Sequence, residues 1–230
     1  MRLIAIATAV AEPSLCLRDG ERIIGTWHGP PRCGPEPVLT AVRELLDTAR
    51  LDFRALDGIA FGRGPGAFTG VRLGVALAQG LSLGTGLPLA SISDLAALAW
   101  TGFQHHGWSR VLACLDARQG EVYWGAYECA SDGLTAVGEE HIAPSRALAV
   151  PPGDWAWAGN GAALAAPGMV EGAVDTDLVP TAEAVAELGL QALVQGETVS
   201  PAEAMPRYLR EQVARPSSRY RRRRGTLTGC

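Results

Sequence analysis

A carboxylate at the end of a buried strand is a common way for an α/β protein to hold a metal ion and the phosphates it carries. Asp116 is the one acid in such a place. It closes the apolar run Arg110 to Asp116 and is followed by Ala117-Arg118-Gln119-Gly120. The same carboxylate can instead serve its own turn with Arg118, and both readings stay open. At the corresponding place near the N-terminus, Ile6-Ala7-Thr8-Ala9, there is no carboxylate. His105 and His106 are adjacent, but no third ligand lies near them, and a solvated linker is the commoner meaning. Cys16, Cys33, Cys114, Cys129 and Cys230 are odd in number, scattered and without a CxxC pair, which indicates neither a disulfide framework nor a zinc site. All 20 basic residues are arginine, so a Schiff-base, catalytic or phosphate-loop lysine is excluded. There is no HExxH and no Ser/His/Asp grouping with motif support, which discounts a peptidase. The pattern is an enzyme scaffold without enzyme residues, and no catalytic or metal residue is assigned.

The densest signal is the stretch Phe61-Gly62-Arg63-Gly64-Pro65-Gly66-Ala67-Phe68-Thr69-Gly70-Val71-Arg72-Leu73-Gly74. Leu56 to Phe61 reads as a buried strand, the Gly/Pro run as a tight turn, and Thr69 to Leu83 as a helix. Strand, turn and helix N-terminus bring backbone N–H groups close to a ligand or partner. The turn is not GxxxxGK[ST], which excludes a Walker-type NTPase. Gly70, Gly74, Ala78 and Ser82 recur every four residues, so one face of the helix is nearly bare. Glycine inside a helix costs about 1 kcal/mol relative to alanine. A closely packed second backbone would offset that cost, and it can belong to the same chain or to another.

These residues need elements to hold them. At 230 residues with 47% hydrophobic composition, one large or two small domains can bury a core. No apolar run reaches membrane-span length and Met1 to Thr8 does not resemble a signal peptide, so a cytoplasmic protein is expected. Leu3–Thr8, Ser14–Arg18 and Arg22–Trp27 read as a β-meander turned at Asp19-Gly20. A Pro/Gly loop over 28–37 precedes an amphipathic helix from Glu36 to Arg50, carrying Val38, Val42, Leu45 and Ala49. Leu87–Ser91 is a strand, Ser93-Asp94 cap a helix to Thr101, and Phe103–Ser109 is a polar break. The pattern then restarts with strands Arg110–Asp116, Glu121–Glu128 and Trp155–Ala158, and a helix capped by Thr181 carrying Val185, Leu188, Ala192 and Leu193. Two β-meander-plus-helix halves, the second degenerate, predict a two-lobed α/β fold of the actin-like (ASKHA, ribonuclease-H-like) class. The expected units are 1–102, 103–214 and an Arg-rich, disordered tail over 215–230. Residues 1–206 carry a net charge of −11 and residues 207–230 a net of +7. The tail is either solvated charge or an arm for RNA phosphates, through Arg219, Arg221, Arg222, Arg223 and Arg224.

Gly62 through Gly74 closely resembles the GRGPGSFTGxRxG signature of the bacterial TsaB (YeaZ) family, matching at Gly62, Gly64, Pro65, Gly66, Phe68, Thr69, Gly70 and Arg72. Asp116 to Tyr123 is similar to that family's DARRGEVY segment, Gly159-Asn160-Gly161-Ala162 to its GDGA turn, and Pro206 to Arg210 to its PxYLR. The resemblance covers about residues 3 to 214. It departs from the pattern at Ala7, where the family usually has Asp, and at Cys33 to Pro37, which replaces an HSxxLLP-like segment.

The resemblance implies a non-catalytic paralogue of TsaD that pairs with TsaD, is joined by the ATPase TsaE, and serves threonylcarbamoylation of the adenosine next to the anticodon in tRNAs reading codons that begin with A. It implies tRNA contact through the complex; no cofactor of the chain's own is expected, the partner interface is the place open to ATP or ADP, and the exposed apolar helix pair allows a homodimer when the chain is alone. The family's pairing surface is made by N-terminal-lobe helices. That places the expected interface at Val38, Val42, Leu45, Gly70, Val71, Gly74, Ala78 and Ser82. The alternative from another class is a stand-alone ATP-dependent enzyme of the same fold, a small-molecule kinase or ATPase, which needs the carboxylate that Ala7 denies.

Overall fold

The structure is a computed structural model and describes residues 1–165, 168–170 and 172–210. The chain opens with strands β1 (Arg2–Ala7), β2 (Ser14–Asp19) and β3 (Arg22–His28), then helix α1 (Pro35–Ala49), β4 (Gly58–Gly62), α2 (Phe68–Thr85) and β5 (Leu89–Ile92). Helix α3 (Asp94–His106) follows, then β6 (Arg110–Arg118), β7 (Glu121–Ala130), β8 (Gly133–Ala136), β9 (His141–Pro144), β10 (Ala156–Ala158), β11 (Val174–Asp175) and α4 (Ala182–Gln195). The first sheet has order β3-β2-β1-β4-β5, antiparallel through β3, β2 and β1 and parallel through β1, β4 and β5. The second repeats that plan as β11-β10-β6-β7-β8, with β9 pairing the start of β7 and β8 its end. Between β10 and β11 the second lobe has a short 3-10 turn (Ala162–Leu164) where the first has a full helix. The duplicated, actin-like architecture is therefore present, and the second copy is the reduced one.

Alternation along the strands sorts the core into layers. Ile4 and Ile6 of β1, with Ile59 and Phe61 of β4, face α1 and α2. Leu3, Ala5, Ala7, Ala60 and Ala90 face the other way, into a cluster shared with α3, α4, Val111, Ala113 and Leu115. Helices α3 and α4 thus fill the space between the two sheets. The far face of the second sheet is covered by Trp124, Trp155, Trp157 and Leu148.

The lobes do not divide where composition suggests. Helix α3 continues through His106 and ends on Gly107 in the left-handed region, so the expected boundary at 102/103 falls inside it. His106 Nε2 lies 2.8 Å from Asp175 Oδ2, which makes it an anchor of α3 to β11 rather than part of a solvated linker. Each inner helix also crosses over. α3 follows the first sheet but packs on β6 and β7, while α4 follows the second sheet and packs on β1, β2, β4 and β5. Buried Arg18 of β2 pairs with Glu187 of α4, and the amide of Ala182 donates to Ser14 Oγ at 3.0 Å. After α4 the chain stays with the first lobe: Val199 bridges Leu89, and Gln79 Nε2 donates to the carbonyls of Pro201 and Ala204, both at 2.9 Å. Residues 182–210 thus belong physically to both lobes, not to a separate second one.

The alanine-rich inner face lets α4 lie close. A Cβ at Gly189 would stand 2.3 Å from the Ala60 Cβ. Gly189→Ala is expected to lower the urea midpoint despite its better helix propensity, and Ala60→Gly added to it should recover part of the loss. A double-mutant cycle with no coupling would contradict this packing.

Candidate functional site: the cleft between the lobes

The glycine-rich turn is built around two approaches. Asp94, fully buried at the start of α3, accepts from the Gly64 amide at 2.6 Å, and its own amide donates to the Gly64 carbonyl at 3.1 Å. A Cβ at Gly62 would sit 2.5 Å from Asp94 Oδ1, so glycine leaves room for that carboxylate. Gly64 has φ +91°, a conformation that favours glycine. Beyond the turn, α2 begins directly against the chain leaving β1. The Ala67 amide donates to the Ala9 carbonyl at 2.8 Å, Thr8 Oγ1 donates to the Gly70 carbonyl at 2.8 Å, and a Cβ at Gly70 would lie 1.9 Å from the Thr8 carbonyl oxygen. At Gly74 it would meet Thr8 Oγ1 at 2.5 Å.

The bare edge of α2 is therefore occupied by this chain's own backbone, which corrects the expected interface. Val71, Gly74, Ala78 and Ser82 are buried within the first lobe, and Gly70 is half-buried against Thr8. Val38 and Val42 of α1 are buried on the first sheet, and Leu45 packs over Gly25. The reason is periodicity. Glycine every four residues marks a close approach without saying whose backbone approaches, and a face displaced by half a turn is the one in water. Leu73 is half-exposed there, and Ala76, Gly80, Leu83 and Gly84 are exposed.

The motifs that are scattered along the sequence meet around one cleft of about 840 Å³ between the lobes, lined by Thr8, Ala9, Pro65 to Val71, Leu115 to Gln119, Tyr123, Asn160, Tyr208 and Arg210, among others. Asn160 Oδ1 accepts from the Asp116 amide at 2.9 Å. The segment 206–210 spans the mouth: the Arg207 amide donates to the Arg63 carbonyl at 2.9 Å, and Arg210 donates to the Ala117 carbonyl and to Glu121. Asp116 spends its carboxylate on its own turn, accepting from the Arg118 amide at 2.7 Å and from Arg118 Nη1 at 3.0 Å. Of the two readings left open for it, turn formation is the one the geometry supports. Cys33 also lines the cleft, its thiol raised by burial, and burial pushes Cys16 and Cys129 up to about 12, so these thiols stay protonated near neutrality. Among the described residues no group of three His, Cys, Asp or Glu could hold a metal ion. The expected tail arginines, Arg219 and Arg221 to Arg224, lie outside the described residues.

Two features of the site had no counterpart in the sequence reading. Phe68, Arg72 and Tyr208 form an exposed cluster at the lip, with the Arg72 guanidinium 3.7 Å from the Phe68 ring centroid and Arg72 Nε donating to Tyr208 Oη at 2.8 Å. The other is a buried polar cluster where the lobes join. Glu140 Oε1 accepts from Ser93 Oγ and, at 2.9 Å, from Tyr127 Oη, while Arg207 Nε stands 3.7 Å from Oε2. Ser93 caps α3 as the sequence suggests, but Asp94 beside it turns inward and holds the glycine-rich turn.

Burial, offset in part by the Gly64 amide, pushes the Asp94 carboxyl up to about 7. Its folded value lies above the unfolded one, so the folded chain binds the extra proton between about pH 4 and 7, and the stabilisation this group gives at low pH is lost as pH rises through 7. Asp94→Asn mimics the protonated acid. The stability of the variant relative to wild type is expected to rise across that window and then level off, measured as urea midpoints against pH. A difference that is flat with pH would contradict the assignment.

Residues 35–225 match the sequence model of the family described as TsaD, tRNA N6-adenosine threonylcarbamoyltransferase. The Escherichia coli (strain K12) protein named tRNA threonylcarbamoyladenosine biosynthesis protein TsaB is 36% identical over 93% of this chain and 96% of its own length. The Haemophilus influenzae protein of the same name is 34% identical over 76% of this chain and 79% of its own. The solved structure of YeaZ from Pseudomonas aeruginosa superposes with a TM-score of 0.85 at 37% identity, covering 90% of this chain and 99% of that one. With its motifs gathered at one cleft and its fold shared along nearly the whole chain, this protein belongs to the TsaB (YeaZ) family of tRNA threonylcarbamoyladenosine biosynthesis proteins.

Proposed function

We propose that the chain acts in threonylcarbamoylation of the adenosine next to the anticodon, in tRNAs reading codons that begin with A, as a non-catalytic subunit that pairs with a TsaD protein and is joined by TsaE. The observation that carries this reading is the fate of two strand-end positions, one buried between the sheets next to the cleft and one lining it. One is Ala7, and the other, Asp116, is held by Arg118. A kinase or ATPase of this architecture needs a free carboxylate there to hold a metal-bound nucleotide. In this reading ATP or ADP is used at the partner interface, tRNA is engaged through the complex, and the work is cytoplasmic. No helix of the described residues is long and apolar enough to cross a membrane.

The pairing surface in this proposal is the outward stripe of α2, Leu73, Ala76, Gly80, Leu83 and Gly84. Leu83 is 76% exposed, and Gly80 and Gly84 have open space where a Cβ would stand. Small residues between exposed leucines let a second helix approach closely. Alone, the chain would self-associate through the same stripe.

Mixing the chain with its host's TsaD and TsaE and omitting one component at a time tests the role. tRNA modification is expected only from the full set, whereas turnover of ATP by this chain alone would overturn the reading. Gly80→Leu should fold at least as stably as wild type, gaining up to about 1 kcal/mol of helix propensity, yet fail to co-elute with TsaD. Gly74→Leu should instead be strongly destabilised, since its side chain would run into Thr8. Co-elution unaffected by Gly80→Leu would move the interface elsewhere.

A further inference from the structure

Pairing through the outward stripe of α2 leaves the cluster at the cleft lip without a task. Phe68 is 47% exposed and Tyr208 49%, although both rings are held in place. Their centroids are 6.0 Å apart with the planes 35° from each other, and Arg72 is tied to both, by its guanidinium over Phe68 and by its hydrogen bond to Tyr208. Rings serving the core would be buried. These are fixed with much of their surface in water, so their side-chain entropy is already lost before any ligand arrives.

The charge at the lip is opposite to that of the body. Arg32 and Arg118 line the cleft from the two lobes, and Arg207 and Arg210 from the strap across its mouth. Among the described lining residues the one carboxylate is Asp116, paired with Arg118, while Glu121 at the rim is paired with Arg210 and Glu140 with Arg207. Arg118 keeps 85% of its side chain exposed. The body beneath the strap, residues 1–206, carries a net charge of −11. The chain also passes this lip on its way to residues 211–230, which carry six arginines against Glu211.

We infer that the lip is a docking surface for a single-stranded RNA segment, with bases stacked on Phe68 and Tyr208 and phosphates on Arg32 and Arg118. Flat, pre-positioned rings beside guanidinium groups are what unpaired bases and their backbone require. An acidic protein surface would also use arginines and rings; the strand is favoured because rings beside guanidinium groups match bases alternating with phosphates, and the test separates the two. The inference rests on the proposed function for RNA as the source of the strand, but its test needs neither partner subunits nor modification activity.

The experiment is fluorescence anisotropy of the full-length chain with a labelled single-stranded RNA of about 12 nucleotides, long enough to span a site of this kind. Titrations at salt between roughly 50 and 200 mM separate charge from stacking. Phe68→Ala and Tyr208→Ala are each expected to weaken binding by about tenfold at every salt concentration, because stacking carries no counterion release. Arg32→Gln and Arg118→Gln should each flatten the slope of log K against log salt by roughly 0.7. Phe68→Trp, which keeps a ring, should bind like wild type and so distinguishes lost stacking from lost folding. Unchanged affinity in both ring-to-alanine variants overturns the inference, and so does a duplex RNA bound as tightly as the single strand. Ring variants that lose co-elution with TsaD but keep RNA binding also overturn it, making the lip a protein contact while leaving the proposed function standing.

Discussion

The structure depends on one close contact, that between the first turns of α2 and the two residues that follow β1. Gly70 and Gly74 admit the Thr8 backbone and hydroxyl to a distance that any side chain would forbid. Two hydrogen bonds fix the approach, from Ala67 to Ala9 and from Thr8 to Gly70. The direction of α2 is thereby set from its N-terminus, and with it the placing of Phe68 and Arg72 on the lip and of Ala76 and Gly80 on the outside. The helical glycines that look costly by propensity are the condition for this arrangement, since alanine at either place would push the helix off the sheet.

The contact also accounts for what the cleft lacks. The chain that leaves β1 passes directly under α2, with Thr8 buried and its hydroxyl engaged, so the space next to Ala7 is filled by the protein's own backbone. On the facing lobe, the β6–β7 turn holds Arg118, Gln119 and Gly120 at positive φ and closes over Asp116. Each strand end that could present a carboxylate to a nucleotide is committed to a local hydrogen-bond pattern. The two-lobed fold is kept, while packing and local hydrogen bonds occupy both strand ends.

Much of this was legible in the sequence. Apolar runs and period-3.6 patterns with glycine and proline punctuation locate the first meander, the opening strands of the second and the helices, although β1, β2 and β4 are buried on both faces, while the short strands β8, β9 and β11 carry no such signal. The duplication was legible because the second β-meander repeats the composition of the first. The ownership of surfaces was not. A stripe of Gly70, Gly74, Ala78 and Ser82 reports how near a neighbour comes, and local pattern holds no information on whether that neighbour is Thr8 or another molecule. Asp94 was read as part of a cap because Ser93-Asp94 is a capping pair, and only the fold brings it under Gly64, 30 residues away. The crossing of α4 to the first sheet depends on contacts such as Arg18 with Glu187 and Gly189 with Ala60, which no window of sequence contains.

The strap over 206–210 gives these parts a common consequence. Arg207 is bonded to the backbone of the glycine-rich turn, Tyr208 to Arg72 on α2, and Arg210 to the β6–β7 turn of the other lobe. Enzymes that close on a substrate need lobes free to move over it. Here one short segment ties the motif loops of both lobes, while Ser93, Tyr127 and Glu140 join the lobes within the interior. Opening the cleft would break charged and partly buried hydrogen bonds together, and nothing within the lobes replaces them. A cleft tied in this way keeps one shape, and with it the placing of the lip and of the outer face of α2. The same bonds hold both motif loops, the lip and the start of α2 as one rigid unit.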